Sequence, residues 1–135
     1  MPAPVARATL LIVDDQPQNL AVLGELLQTR YDVLVAPNGR RALEVAARQP
    51  VPDLILLDIM MPEMDGYAVL AALQQNPATQ ATPVIFLTAL GDPGDEEHGL
   101  SLGAVDYIVK PIQPAVVLAR VRNQLDLKRA RDFLS

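Results

Sequence analysis

Asp53-Leu54-Ile55-Leu56-Leu57-Asp58-Ile59-Met60-Met61-Pro62-Glu63-Met64-Asp65-Gly66 decides how the rest of the chain is read. Leu54 to Leu57 are apolar without interruption, too short a run and too apolar on both faces for a surface helix. Bounded by Pro52 and Pro62, the run reads as a strand buried on both sides of a parallel sheet. It delivers one carboxylate, Asp58, at its carboxyl end. Burying that acid unpaired costs several kcal/mol in order of magnitude, so a partner is required.

Working outward, the same grammar repeats. Thr9-Leu10-Leu11-Ile12-Val13 is a second buried-strand run, and it ends in Asp14-Asp15. Pro17 stands where a first helical position belongs, with Leu20, Leu23 and Leu27 behind it at helical spacing. Asp32 to Ala36 reads as a strand. Asn38 reads as the cap of a helix from Arg40 to Arg48, with Ala42, Leu43, Ala46 and Ala47 as its apolar face. Asp65 caps a further helix to about Gln75, which Asn76-Pro77 ends. Pro83 to Thr88 and Ala104 to Lys110 are the last two strands. Between them, Asp92 to Leu102 reads as a helix weakened by Gly94 and Gly99, each costing about 1 kcal/mol against Ala. Pro114 opens a final helix of about twenty residues, with Val117, Val121 and Leu125 as its packing stripe.

Strand and helix thus alternate five times, which predicts an α/β, doubly wound, five-stranded parallel sheet. With right-handed crossovers and strand order 2-1-3-4-5, strands one and three flank the switch point. Asp14 and Asp15 then lie beside Asp58. Three like charges in one crevice call for a cation or shared protons. Oxygen ligands without His or Cys suit Mg²⁺ or Mn²⁺, and a magnesium site of this kind suits phosphoryl chemistry. Lys110 and Thr88 end strands at the same sheet edge, where they offer a cation and a hydroxyl.

The chain of 135 residues is expected to form one domain, half of it apolar and a fifth charged. The absence of cysteine excludes disulfides and thiolate metal sites. A net charge of −5 argues against direct nucleic-acid binding by this domain. No apolar run approaches the length of a membrane span, and the expected location is cytoplasmic. Met1 to Ala8 reads as a loosely ordered leader.

Four signatures together resemble the receiver domains of two-component response regulators. They are Val13-Asp14-Asp15, Leu57-Asp58-Ile59-Met60-Met61-Pro62 with Asp65-Gly66, Thr88-Ala89, and Lys110-Pro111. The resemblance covers about residues 8 to 128 and implies the flavodoxin-like three-layer fold. It implies that Asp58 accepts a phosphoryl group from the phosphohistidine of a sensor kinase or phosphotransfer protein. It further implies Mg²⁺ held directly by Asp15, Asp58 and the main-chain carbonyl of Met60, and by Asp14 largely through water. Lys110 is then the phosphoryl contact, with a cis bond to Pro111, and Thr88 and Tyr107 are the coupled switch residues.

Against these stand plainer roles. Met60, Met61 and Met64 read as loop packing, and His98 as an exposed helix residue without a catalytic part. A haloacid-dehalogenase-type phosphatase would carry an acid two residues after its nucleophile; here that position is Met60. A receiver-like module that only binds has no use for intact Asp14, Asp15 and Asp58. Residues 9–125 are expected to form the receiver. The stripe of Asn123, Leu127, Ala130 and Leu134 is expected to lead off the domain, and 126–135 to extend the last helix as a linker to an output domain or dimer partner. Because the last helix reaches Phe133-Leu134-Ser135 without a capping glycine, the chain is expected to be a fragment of a longer protein.

Overall fold

Each apolar run of the sequence becomes one strand. In the computed structural model, which describes residues 7–89 and 93–134, the order is β1 (Thr9–Val13), α1 (Pro17–Leu27), β2 (Asp32–Ala36), α2 (Gly39–Ala46), β3 (Leu54–Asp58), α3 (Gly66–Gln75), β4 (Val84–Thr88), α4 (Pro93–Ser101), β5 (Asp106–Val109) and α5 (Pro114–Leu134). All strands pair in parallel, in the order β2-β1-β3-β4-β5. β3 and β4 are buried at every residue because helices cover both faces. β2, at the edge, leaves Leu34 and Val35 exposed.

The sheet divides the core into two layers. On one face Leu11, Val13, Ile55, Leu57, Val84 and Phe86 pack against α2 and α3. On the other, Leu10, Ile12, Leu54, Leu56, Ile85 and Ile108 pack against α1 and α5 through Leu23, Leu27, Val117, Val121 and Leu125. These are the alternate residues of each strand, as a pleated sheet requires.

Capping follows the sequence. Asn38 Oδ1 accepts the Arg41 N–H at 2.8 Å and Asp65 Oδ1 accepts that of Ala68 at 2.9 Å. Pro17 occupies the first turn of α1. Two boundaries differ from expectation by two residues. α2 stops at Ala46, two residues early, since Gln49 precedes Pro50 and is biased away from helix. Its buried face includes Val45, and Ala47 is exposed. β5 begins at Asp106 because Ala104 donates instead to the Gly99 carbonyl, closing α4. The start expected for α4, at Asp92, lies outside the described residues.

Of the expected leader, Arg7 and Ala8 are described, and both have partners. Arg7 donates to the Gln28 and Tyr31 carbonyls, and the Ala8 carbonyl accepts the Asp32 N–H.

Candidate functional site

Register sets the site. Val13 lies opposite Leu57, so the next residue on each strand, Asp14 and Asp58, emerge together at the carboxyl edge. Thr88 lies opposite Val109, which carries Lys110 one step beyond it. Lys110 Nζ reaches both acids, 3.1 Å from Asp14 Oδ2 and 3.2 Å from Asp58 Oδ1. The other oxygen of Asp14 accepts the Gln16 N–H at 3.0 Å, where α1 begins. Asp15 completes the cluster, with one oxygen from each of the three carboxylates within 4.8 Å of the others.

Charge balance is poor. Asp14 is fully buried and Asp58 only 4% exposed. Three carboxylates face one ammonium. Burial pushes the Asp58 carboxyl from its ordinary 3.8 up to about 6; Asp14 adds to the rise, while Lys110 opposes it. For Lys110, burial alone would pull the ammonium down, but the charges of Asp58 and Asp14 prevail and hold it above its usual range. The thiol-free, imidazole-free donor set and the uncompensated charge fit a hard divalent cation. Thr88 is also buried, and among the described residues its Oγ1 has no hydrogen-bond partner. A buried hydroxyl without a partner is costly, and here it stands on the strand beside the acid.

The loop after β3 is drawn back over Asp58 by α3. Gly66 donates its N–H to the Ile59 carbonyl at 2.9 Å, and a Cβ at position 66 would sit 2.6 Å from the Asp58 carbonyl oxygen. Only glycine lets the first turn of α3 press on the backbone of the acid. Glu63 takes a left-handed φ of 69° in the same loop. Met60 lies in this loop with an exposed side chain, and Met61 packs inward. The Lys110–Pro111 bond is cis, as the resemblance implies.

The response regulator receiver domain family matches residues 10–122. The chain belongs to that family. This receiver is 45% identical over 130 residues to a Vibrio cholerae protein named "Probable cyclic di-GMP phosphodiesterase", covering 96% of the chain and 29% of that protein. It is 43% identical over 128 residues to the response regulator PleD of Caulobacter vibrioides, covering 94% of the chain and 28% of PleD. It thus spans less than a third of those relatives. Among solved structures it resembles the chemotaxis protein CheY4 of Vibrio cholerae, with a TM-score of 0.81 and 31% identity over 87% of this chain and 98% of that one. It also resembles the receiver domain of a histidine kinase from Syntrophus aciditrophicus, with a TM-score of 0.78 and 39% identity over 88% and 90%.

The receiver therefore brings Asp14, Asp15, Asp58, Thr88 and Lys110 to one sheet edge. Tyr107 lies a strand away, opposite Phe86 and half-buried. Sequence reasoning missed the ring group that its neighbour Phe86 belongs to. Tyr67, Phe86 and His98 form an aromatic group, and Gly99, read as a helix weakener, lies against the Phe86 ring. The spacing of these residues along the chain carries no sign of that contact. Among the described residues no helix is long and apolar enough to cross a membrane.

Proposed function

We propose that Asp58 is the phosphoacceptor of this receiver, taking a phosphoryl group from the phosphohistidine of a sensor kinase or phosphotransfer protein. The observation that carries this reading is the Lys110 ammonium bridging Asp14 and Asp58 beside the unpartnered Thr88 hydroxyl. In the transfer an Asp58 carboxylate oxygen attacks phosphorus, the P–N bond to the imidazole breaks, and the released nitrogen keeps the electron pair. Lys110 offers its charge to the phosphoryl oxygens, and Thr88 offers the donor it does not otherwise use. Asp14 keeps Lys110 in place from the far side.

Asp15, Asp58 and the main-chain carbonyl of Met60 would hold Mg²⁺ or Mn²⁺ directly, with Asp14 acting largely through water. When bound, the ion supplies the positive charge that three carboxylates and an incoming phosphoryl group lack. Rearrangement of Thr88 and Tyr107 then changes the face formed by α4, β5 and α5. Residues 126–134, the end of α5, pass the change to an output domain or a second copy. No external metabolite is turned over.

Incubation with Mg²⁺ and a small phosphodonor, followed by intact-mass measurement, tests the reading. One phosphoryl adduct per chain is expected, lost on metal removal and in Asp58→Asn. Repeated turnover of the donor, or an adduct that survives Asp58→Asn, would overturn it.

A further inference from the structure

Of the described side chains on α4, only Gly99 is buried; Gly94, Glu97, His98, Leu100 and Ser101 are exposed and Glu96 is half-buried. A helix whose described residues bury no apolar side chain draws little stability from the core through them. Its attachment is an aromatic one. The Phe86 ring of β4 lies flush against the α4 backbone, so close that a Cβ on Gly99 would be 2.5 Å from Cδ2 and 2.9 Å from Cε2. Tyr67 of α3 meets the Phe86 ring edge-on, centroids 5.5 Å apart at 76°. The same Tyr67 ring meets His98 of α4 at 4.7 Å and 71°. One ring thus ties α3, β4 and α4 together.

The position of this group matters more than its size. Phe86 stands two residues before Thr88, so the two side chains share a face of β4, and in register Phe86 lies opposite Tyr107. The underside of α4 and the residues at the acid cluster are therefore built on one row of the sheet.

We propose that Tyr67 and Phe86 form a seat for α4, occupied by Gly99 and His98, and that an occupied seat holds the receiver in its unphosphorylated arrangement. Tyr67 and His98 are on this view positioning residues for the switch, remote from the phosphoryl group. The proposal rests on the reading of Asp58 as phosphoacceptor. Coupling is reciprocal: if phosphorylation draws α4 off the seat, weakening the seat must favour the phosphorylated state by the same factor. An edge-on aromatic contact is worth about a two- to tenfold shift in such an equilibrium.

The test uses the full chain with Mg²⁺ and beryllium fluoride as phosphoryl mimic, measuring affinity and amide exchange in wild type, His98→Ala, Tyr67→Leu and the double variant. His98 is exposed, so its replacement leaves the fold intact. Each single variant is expected to bind the mimic about two- to tenfold more tightly. Residues 93–101 should exchange faster without the mimic, with α1 and α5 unchanged. The double variant should gain less than the product of the two, since both remove one contact. Unchanged or weaker mimic affinity in both single variants would overturn the seat. If the wild type takes up no mimic, the phosphoacceptor reading fails instead. The seat is then judged on exchange alone, and unchanged exchange at 93–101 in both variants overturns it.

Discussion

Asp58 carries a carboxyl pushed up to about 6, first by burial and then by Asp14. A raised folded-state value means that the folded protein holds the proton more tightly than the unfolded chain. That contribution to stability is fully present below about 4 and lost as pH rises through about 6. Metal-free protein should accordingly lose stability across that window, and Asp58→Asn should flatten the loss; urea unfolding at a series of pH values measures it. Saturating Mg²⁺ should remove much of the slope by supplying the missing charge. Lys110→Met tests the opposite partner. Leaving Asp14 and Asp58 buried without their cation should destabilise metal-free protein by about 1–3 kcal/mol, less when Mg²⁺ is present. Two loop residues can be probed separately. Gly66→Ala forces a Cβ against the Asp58 carbonyl and should cost about 1–3 kcal/mol as well as slow phosphorylation. Glu63→Gly relieves a left-handed φ and should gain about 0.5–1 kcal/mol in thermal or urea unfolding.

At the scale of elements, α4 and α5 part company. Among its described residues α4 has a glycine, not a side chain, at its buried position, and it is expected to show the fastest amide exchange of the five helices. Gly99 costs helix propensity yet is the only residue that admits the Phe86 ring, so the weakness and the fit have one cause. α5 is held twice. Val117, Val121 and Leu125 bury its first turns. Further on, Lys128 Nζ lies 3.4 Å from Asp53 Oδ1 and 2.8 Å from Asp132 Oδ2, while Arg131 donates to the Ala81 carbonyl at 3.3 Å. Asp53 is itself fixed, its other oxygen accepting the Thr9 N–H at 2.8 Å. The stretch expected to lead away thus stays against the domain through these contacts, although Leu127, Phe133 and Leu134 remain exposed. Exposed ion pairs contribute about 0–1 kcal/mol each. Lys128→Ala should therefore speed exchange at 126–134 severalfold without altering phosphorylation at Asp58.

Across the whole molecule, what was legible in the sequence follows period and punctuation. Five stretches at strand length, proline at helix starts and Asn38 or Asp65 as caps mark ten elements within a residue or two. The site was legible because strand ends in a parallel sheet share an edge, which brings Asp14, Asp58, Thr88 and Lys110 together once the order is known. Contacts across the layers were not legible. Nothing in local periodicity tells that Tyr67 touches His98, that Gly99 lies on Phe86, or that Lys128 returns to Asp53. Those depend on how helices lie over the sheet, and a residue's neighbours along the chain carry no record of it.

The strand that opens the sequence reading is bracketed by two acids. Asp53, just before β3, anchors α5, and Asp58, its last residue, belongs to the acid cluster. Five residue steps of extended chain separate them, about 16 Å. The acid cluster and the anchored end of α5 therefore occupy opposite rims of the same sheet. If, as proposed, the acids take the phosphoryl group and the end of α5 leads to an output domain, a phosphodonor docked over the acids leaves that helix uncovered, and an attachment there leaves the acids open. On the proposed function, the receiver can then be loaded while it is still engaged with its output.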